Sequence, residues 1–186
     1  MGINPGTRRA VFLDRDGVIN RSIVRDGLPY SPARVEDLDV LPGVPEALTR
    51  LHDAGFRLVV VTNQPDVARG TQQRAVIDAM HACLSRSLPI DEFRVCDHDD
   101  RDGCVCRKPK PGLLEASARE AGLHLPASFM IGDRWLDVEA GRRAGCTTIF
   151  IDSGYEERRP EHPDVIVRSL PEAADWILSQ SGREGS

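Results

Sequence analysis

Short strand-like runs alternate with longer helix-like segments over most of this chain, and this order is what most limits its fold. Alternation of this kind is typical of a parallel sheet covered by helices on both faces. We therefore predict an α/β protein with three α/β/α layers. The predicted strands are 10–13, 57–62, 92–96, 128–132, 147–152 and 164–167, and the predicted helices are 44–54, 71–87, 111–122, 135–144 and 171–178.

The length of the chain limits the number of domains. Its 186 residues can bury one sizeable core but are too few for two full domains. We expect a single domain over 1–186 that acts as a monomer. The small, polar residues 181–186 predict a disordered tail.

Residues 20–41 have a weak apolar pattern interrupted by Gly27, Pro29 and Pro32, which predicts a long loop after the first strand. Loops of this length in a compact domain are usually functional, for example as lids or substrate loops. A passive surface excursion is the alternative.

Charge and hydropathy exclude several partners. A net charge of -5 argues against broad attraction to nucleic acid or to an anionic membrane. No segment approaches the roughly 18 apolar residues of a membrane helix, and residues 1–9 lack the apolar run of a signal peptide. We expect a cytoplasmic protein, and a local basic pocket could still hold a small phosphorylated ligand.

Polar residues follow three of the predicted apolar strands. Asp14 follows strand 10–13, and Asp133 follows strand 128–132. Thr62 is the last residue of strand 57–62, and Asn63 and Gln64 follow it. Ligands of open α/β sheets bind at the carboxyl ends of the strands. We therefore expect these residues to meet in one site.

Asp14 and Asp16 stand at alternate positions of one extended segment, so their carboxylates can share a face. Two carboxylates at such a short distance repel each other. The repulsion is relieved when a hard divalent cation binds or when one carboxyl keeps its proton. Both outcomes suit phosphoryl transfer. An ordinary Asp-Arg-Asp-Gly turn at a strand end is the alternative.

Three of the five cysteines crowd together with a histidine. Cys96, His98, Cys104 and Cys106 offer three thiolates and one imidazole, a full tetrahedral set for Zn²⁺. Four protein ligands leave no open position for water, so we expect a structural zinc in a loop over 96–106. Reduced, unliganded cysteines beside a solvated His98 are the alternative.

Four sequence elements occur in an order that closely resembles the haloacid dehalogenase superfamily of phosphotransferases. They are Asp14-x-Asp16, Thr62 after a Val-rich strand, Lys108 in Arg-Lys-Pro-Lys-Pro-Gly, and Gly132-Asp133-x-x-x-Asp137. The resemblance covers residues 9 to about 151 and implies a Rossmann-like fold. It also implies a Mg²⁺-dependent phosphatase that works through an aspartyl phosphate.

The resemblance implies a role for each of these residues. Asp14 would be the nucleophile, and Asp16 would be the acid and base while holding Mg²⁺ through its backbone carbonyl. Asp133 would bind Mg²⁺ together with Asp14. Thr62 and Lys108 would stabilise the transferring phosphoryl group.

The zinc loop narrows the resemblance further. Together with Asp-Arg-Asp-Gly-Val-Ile-Asn and Val-Val-Thr-Asn-Gln, it resembles the D-glycero-D-manno-heptose 1,7-bisphosphate 7-phosphatase family, whose members have little or no cap. This implies hydrolysis of a phosphorylated sugar at its 7-phosphate. The alternatives are a histidinol-phosphate phosphatase, a nucleic-acid 3′-phosphatase, and an inactive zinc-binding interaction module.

The resemblance also places substrate contacts at Asn63, Gln64, Arg107 and Arg134, the last replacing a lysine of the family. The chain departs from the family at Pro65-Asp66, where Ser-Gly is usual, and in its longer 20–41 loop.

Two further interpretations concern single residues. Asp137 could brace Lys108 or Arg134, or could be a helix N-terminal charge. His81 has no partner at ligand spacing, which predicts a surface position.

Overall fold

Among the residues that the structure describes, six parallel strands form the central sheet. The structure, a computed structural model, describes residues 8–181. The strands are β1 (Ala10–Leu13), β2 (Ile23–Arg25), β3 (Leu28–Tyr30), β4 (Arg57–Asn63), β5 (Glu92–Cys96), β6 (Phe129–Gly132), β7 (Thr147–Ile151) and β8 (Val165–Val167). The sheet order is β5-β4-β1-β6-β7-β8, and β2 pairs with β3 separately.

Within the described residues, five α-helices cover the sheet: α1 (Val44–Asp53), α2 (Arg74–Ser87), α3 (Gly112–Ala121), α4 (Trp135–Ala144) and α5 (Leu170–Ser181). All four residues of β1 are buried. Val11 and Leu13 belong to the same apolar core as α1 and α5, whereas Ala10 and Phe12 belong to the core of α3 and α4. Because β1 is apolar on both faces, it can only be a central strand. The predicted three-layer α/β/α fold is confirmed.

The ends of the elements differ from the sequence prediction by a few residues. Helix α2 begins at Arg74 rather than at residue 71, and α5 extends to Ser181. The predicted tail therefore overlaps α5 at one position, and residues 182–186 lie outside the described residues.

The predicted 20–41 loop instead contains a β-hairpin. Strands β2 and β3 pair antiparallel around Asp26 and Gly27, which have φ values of 49° and 74°. Two left-handed residues are what a two-residue hairpin turn requires, and Asp-Gly is its usual sequence. The prediction was wrong here because each strand has only three residues and buries none of them. Pro29, Tyr30 and Ser31 of this segment line the pocket at Asp14.

The chain order creates a crevice beside β1. Strand β1 lies between β4 and β6, and the chain proceeds outwards from β1 in both directions. Open α/β sheets bind ligands at such a reversal, outside the carboxyl ends of the strands. Asp14, Thr62 and Asp133 stand at these ends. Among the described helices, none has the length and apolar character to cross a bilayer.

Candidate active site

Three carboxylates and one ammonium meet at the carboxyl ends of β1, β4 and β6. Carboxylate oxygens of Asp14, Asp133 and Asp137 lie within 4.8 Å of one another, and all three residues are buried. The Lys108 Nζ donates to Asp14 Oδ1 at 2.8 Å, to Asp137 Oδ1 at 2.6 Å and to the Val61 carbonyl at 2.8 Å. The predicted meeting of the three strand ends is therefore present.

The charges of this cluster do not balance. Burial raises the pKa of Asp14 to about 6; Lys108 opposes this rise, and Asp137 and Asp16 add to it. Burial and the neighbouring Asp14 also raise the pKa of Asp133 well above its ordinary value. The Asp133 Oδ1 is buried and has no hydrogen-bond partner among residues 8–181. An unpaired carboxylate oxygen amid excess negative charge fits a hard divalent cation that prefers oxygen ligands.

Two glycines let these carboxylates approach the backbone. A Cβ at Gly132 would lie 2.0 Å from the Asp137 Cβ. At Gly17, where φ is +86°, a Cβ would lie 1.7 Å from Asp133 Oδ2. Neither distance is sterically allowed, so any side chain at these positions would displace a carboxylate of the cluster.

Asp137 satisfies both interpretations that its spacing left open. Its Oδ1 accepts the hydrogen bond from Lys108, and its Oδ2 accepts from the backbone N–H of Arg134 at 3.0 Å. It thus braces the lysine and also caps the first turn of α4.

The Asp16 carboxylate is held by donors from four side chains. Arg15 donates to both of its oxygens at 3.1 and 3.0 Å. Asn20, Ser31 and Gln64 donate at 2.9, 2.7 and 3.0 Å. Burial opposes ionisation, but Arg15 and the other donors outweigh it and lower the pKa of Asp16. Ser31 directly follows β3, so the hairpin segment supplies one of these donors.

Arg15 is itself buried and contacts a histidine. Its Nη1 lies 3.2 Å from Nε2 of His81, whose ring stacks on Phe93 at 4.4 Å. Burial and the Arg15 charge lower the pKa of His81 to about 4, so the ring is neutral at pH 7. An arginine can only donate, and His81 Nε2 therefore accepts. The predicted surface position of His81 was wrong; its spacing from Ile77 and Leu84 on the buried face of α2 is the signal that was missed.

Three predicted site residues lie at the end of β4 and directly after it. Their side chains form hydrogen bonds with other groups of the protein. Thr62 is buried and lines the pocket, and its Oγ1 accepts a hydrogen bond from Gln64 at 2.9 Å. Gln64 therefore bridges Thr62 and Asp16. The Asn63 side chain donates to the Lys108 carbonyl and accepts from the Lys108 N–H, each at 3.1 Å. The Asn63 and Gln64 amides hence order the site, and their contact with a substrate stays a prediction.

The two predicted substrate arginines differ in position. Arg134 lines the pocket with Asp14, whereas Arg107 is not part of that lining. The Arg107 Nε donates to Asp100 at 2.7 Å. Arg134 is paired with Glu157, donating from Nε at 2.9 Å and from Nη2 to the second carboxylate oxygen. Both cations therefore already have carboxylate partners.

Cys96, His98, Cys104 and Cys106 form a second group that could hold a metal ion. The Cys96 Sγ lies 3.7 Å from Cys104 Sγ, 3.1 Å from Cys106 Sγ and 3.6 Å from His98 Nδ1. In a tetrahedral zinc site with Zn–S bonds of about 2.3 Å, two sulfurs lie roughly 3.8 Å apart. The side chains have thus gathered to about the spacing that zinc requires. This loop runs directly into Lys108.

Comparisons with known proteins agree with this geometry. A protein-family model described as HAD-hydrolase-like matches residues 105–173. The D-glycero-D-manno-heptose-1,7-bisphosphate 7-phosphatase of Thermosynechococcus vestitus is 34% identical over 92% of this chain and 96% of its own length. The D-glycero-beta-D-manno-heptose-1,7-bisphosphate 7-phosphatase of Pseudomonas aeruginosa is 37% identical over 80% and 83% of the two chains.

A solved structure extends the similarity to three dimensions. The D,D-heptose 1,7-bisphosphate phosphatase of B. bronchiseptica, crystallised with magnesium and phosphate, has a TM-score of 0.75 and 28% identity. The match covers 92% of this chain and 99% of that one.

Proposed function

Because this chain belongs to the D-glycero-D-manno-heptose-1,7-bisphosphate 7-phosphatase family of haloacid dehalogenase-like proteins, we propose that it removes the 7-phosphate of D-glycero-D-manno-heptose 1,7-bisphosphate. The observation that carries this proposal is the buried cluster of Asp14, Asp133, Asp137 and Lys108 at the reversal of the sheet. A catalytically inactive module would gain no stability from burying three carboxylates against one ammonium.

In the proposed mechanism Asp14 attacks phosphorus. Lys108 holds its Oδ1, which leaves Oδ2 for the attack. The bond between phosphorus and the sugar oxygen breaks as an aspartyl phosphate forms on Asp14. Water then attacks this phosphorus and releases inorganic phosphate and the free carboxylate. One hard displacement is thereby divided into two easier ones.

Asp16 would give a proton to the departing sugar oxygen and take one from the attacking water. The donors that surround it favour its ionised form, which suits the second step. For the first step Asp16 must carry a proton, and it would therefore have to lose some of these hydrogen bonds. Ser31 lies on the segment that borders the pocket, so movement of that segment on substrate entry would weaken the set of donors.

Lys108 and Thr62 would stabilise the phosphoryl oxygens in different ways. All three N–H groups of the Lys108 ammonium already donate to protein oxygens, so its contribution is its positive charge. The Thr62 oxygen accepts from Gln64, which leaves its hydrogen to donate into the pocket. A donor placed where charge develops is worth about 10²-fold to 10³-fold in rate.

We assign magnesium to the carboxylate cluster. Asp14 and Asp133 would bind it with their carboxylates, and Asp16 with its backbone carbonyl. When bound, the cation would offset the negative charge that the phosphate brings into an already anionic site. The unpaired Asp133 Oδ1 supports this assignment.

For substrate recognition we favour Arg134 over Arg107. Arg134 lines the pocket and could bind the second phosphate of the sugar, in competition with Glu157. Arg107 pairs with Asp100 inside the cysteine loop, so its role there would be to order the loop. A single domain over 1–186, a monomeric state, a cytoplasmic location and the absence of nucleic-acid and membrane partners stay predictions from the sequence.

The substrate assignment predicts a clear order of activities. We expect phosphate release from heptose 1,7-bisphosphate to exceed release from histidinol phosphate, and both to exceed release from a 3′-phosphorylated oligonucleotide. A steady-state assay of kcat/KM for the three compounds with magnesium measures this. Equal or greater activity on histidinol phosphate would favour that alternative, and absence of release from every compound would favour the inactive module.

We also propose that Cys96, His98, Cys104 and Cys106 hold a structural zinc. The protein as purified is expected to contain one zinc per chain, and Cys106→Ser is expected to lower both zinc content and Tm. A loss of a few kcal/mol corresponds to roughly 10 °C for a chain of this size. The measurements are elemental analysis and thermal unfolding.

Cys83→Ser is the matched control, because Cys83 lies outside the cluster. It should leave the zinc content unchanged. A chemical step that zinc rescues directly, without restoring stability, would contradict a structural role. Full stability of zinc-free protein would contradict it as well.

A further inference from the structure

The loop after β7 contacts the carboxylate cluster through a tyrosine that the sequence analysis did not single out. The Tyr155 hydroxyl donates a hydrogen bond to Asp133 Oδ2 at 2.8 Å. A tyrosine hydroxyl is protonated at neutral pH, so it remains a donor there. Tyr155 therefore fixes one oxygen of a residue that we assign to the metal.

The two oxygens of Asp133 have different environments. Oδ2 accepts from Tyr155 and rests on the Cα of Gly17, where a Cβ would lie 1.7 Å from it. Oδ1 is buried and accepts no hydrogen bond from the part of the chain that the structure describes. A hydrogen bond to one oxygen, and none from the described residues to the other, orients the carboxylate so that Oδ1 is the atom presented to a ligand.

Tyr155 is itself held on its C-terminal side. The next residue, Glu156, donates its backbone N–H to the Gly27 carbonyl in the hairpin turn at 2.9 Å. The residue after that, Glu157, pairs with Arg134. Neither anchor involves Asp133, so the loop that carries Tyr155 is attached to the protein by contacts other than its bond to this carboxylate.

We propose that Tyr155 is a positioning residue that sets the affinity of the site for a divalent cation by holding Asp133 with Oδ1 free. This inference rests on the proposed magnesium site at Asp14 and Asp133. Outer hydrogen-bond partners of metal ligands typically change metal affinity by about 10-fold to 100-fold. Tyr155 does not contact the reacting atoms, so its effect is on binding of the cation rather than on chemistry.

The test is magnesium binding by isothermal titration calorimetry on the full chain with its zinc site intact. Tyr155→Phe removes only the hydroxyl and is expected to weaken magnesium binding by about 10-fold to 100-fold. Thr49→Val is the matched control, because it also removes a single hydroxyl donor, and Thr49 is an exposed residue of α1 whose hydroxyl donates to the Pro45 carbonyl of the same helix. The control is expected to keep the wild-type magnesium affinity.

A second readout separates positioning from general damage. In Tyr155→Phe the magnesium concentration for half-maximal phosphate release should rise by the same factor, while kcat at saturating magnesium changes less than about threefold. Equal magnesium affinities of wild type and Tyr155→Phe would overturn the inference, as would absence of magnesium binding by the wild type. If the wild type binds magnesium but releases no phosphate from the bisphosphate, the proposed function fails. The magnesium affinities of the wild type and Tyr155→Phe still test the role of Tyr155 in that case.

Discussion

Asp14→Asn is expected to lower phosphate release from the bisphosphate by about 10⁴-fold or more, the size of loss seen when a catalytic nucleophile is removed. An amide is not a nucleophile at phosphorus, and its neutral oxygen is a far weaker ligand for a cation. Both parts of the proposed role of Asp14 disappear with this one change. A phosphate-release assay at saturating magnesium measures the loss.

The same substitution is not expected to destabilise the metal-free protein at pH 7. Burial raises the pKa of Asp14 from an ordinary 3.8 to about 6. Between pH 3.8 and about pH 6 the Asp14 carboxyl is ionised in the unfolded chain but still protonated in the folded protein. Over this range its contribution to the free energy of unfolding therefore falls as the pH rises. Above about pH 6 the folded protein carries an unfavourable charge, which asparagine lacks. The free energy of unfolding in urea should therefore equal or exceed that of the wild type.

Asp175→Asn is a suitable control because Asp175 is an exposed carboxylate on α5 that pairs with Arg50. It should retain full activity. If Asp14→Asn is well folded and keeps more than a hundredth of the wild-type rate, Asp14 is not the nucleophile.

Lys108→Met is expected to damage both stability and catalysis. The side chain is almost completely buried, and its ammonium lies between Asp14 and Asp137 while also donating to the Val61 carbonyl. Methionine has a similar length but leaves two buried carboxylates and one carbonyl without this donor. Removing one partner of a buried ion pair typically costs about 3–5 kcal/mol. Loss of the positive charge should lower kcat by a further 10²-fold or more.

The chain offers a matched control and a test of the cause. Lys110, its other lysine, is exposed and donates to the carbonyls of Gly103 and Cys104. Lys110→Met should cost no more than about 1 kcal/mol. Adding Asp137→Asn to Lys108→Met removes one of the unpaired charges and should restore part of the stability but none of the rate. A double variant no more stable than Lys108→Met would show that unpaired charge is not the cause.

Local sequence patterns were sufficient for the layers of the fold and for the centre of the site. Asp14, Thr62 and Asp133 could be placed together because each follows an apolar strand, and parallel strands end at one edge of a sheet. The cysteine spacing likewise predicted a gathered cluster, since its four side chains are close in sequence. These patterns depend on the period of the strand and on chain order, which the sequence shows directly.

The hairpin at Asp26-Gly27 was missed although its signal is local. Its strands are short and largely exposed, so no alternation of buried side chains marked them. The Asp-Gly pair was the available evidence for the turn.

Other features depended on contacts between residues far apart in the chain. His81 meets Arg15 across 66 positions, and Tyr155 meets Asp133 across 22. Asn63 bonds to the Lys108 backbone across 45 positions.

Patterns along the chain were therefore enough to predict the α/β/α layers, the strand-end carboxylates and the cysteine cluster. Which donor each buried polar group received became visible only when the elements were packed together. The physical reason is that a buried donor or acceptor must find a partner wherever the packed chain supplies one. That choice depends on the distances between packed elements, and no local pattern records them.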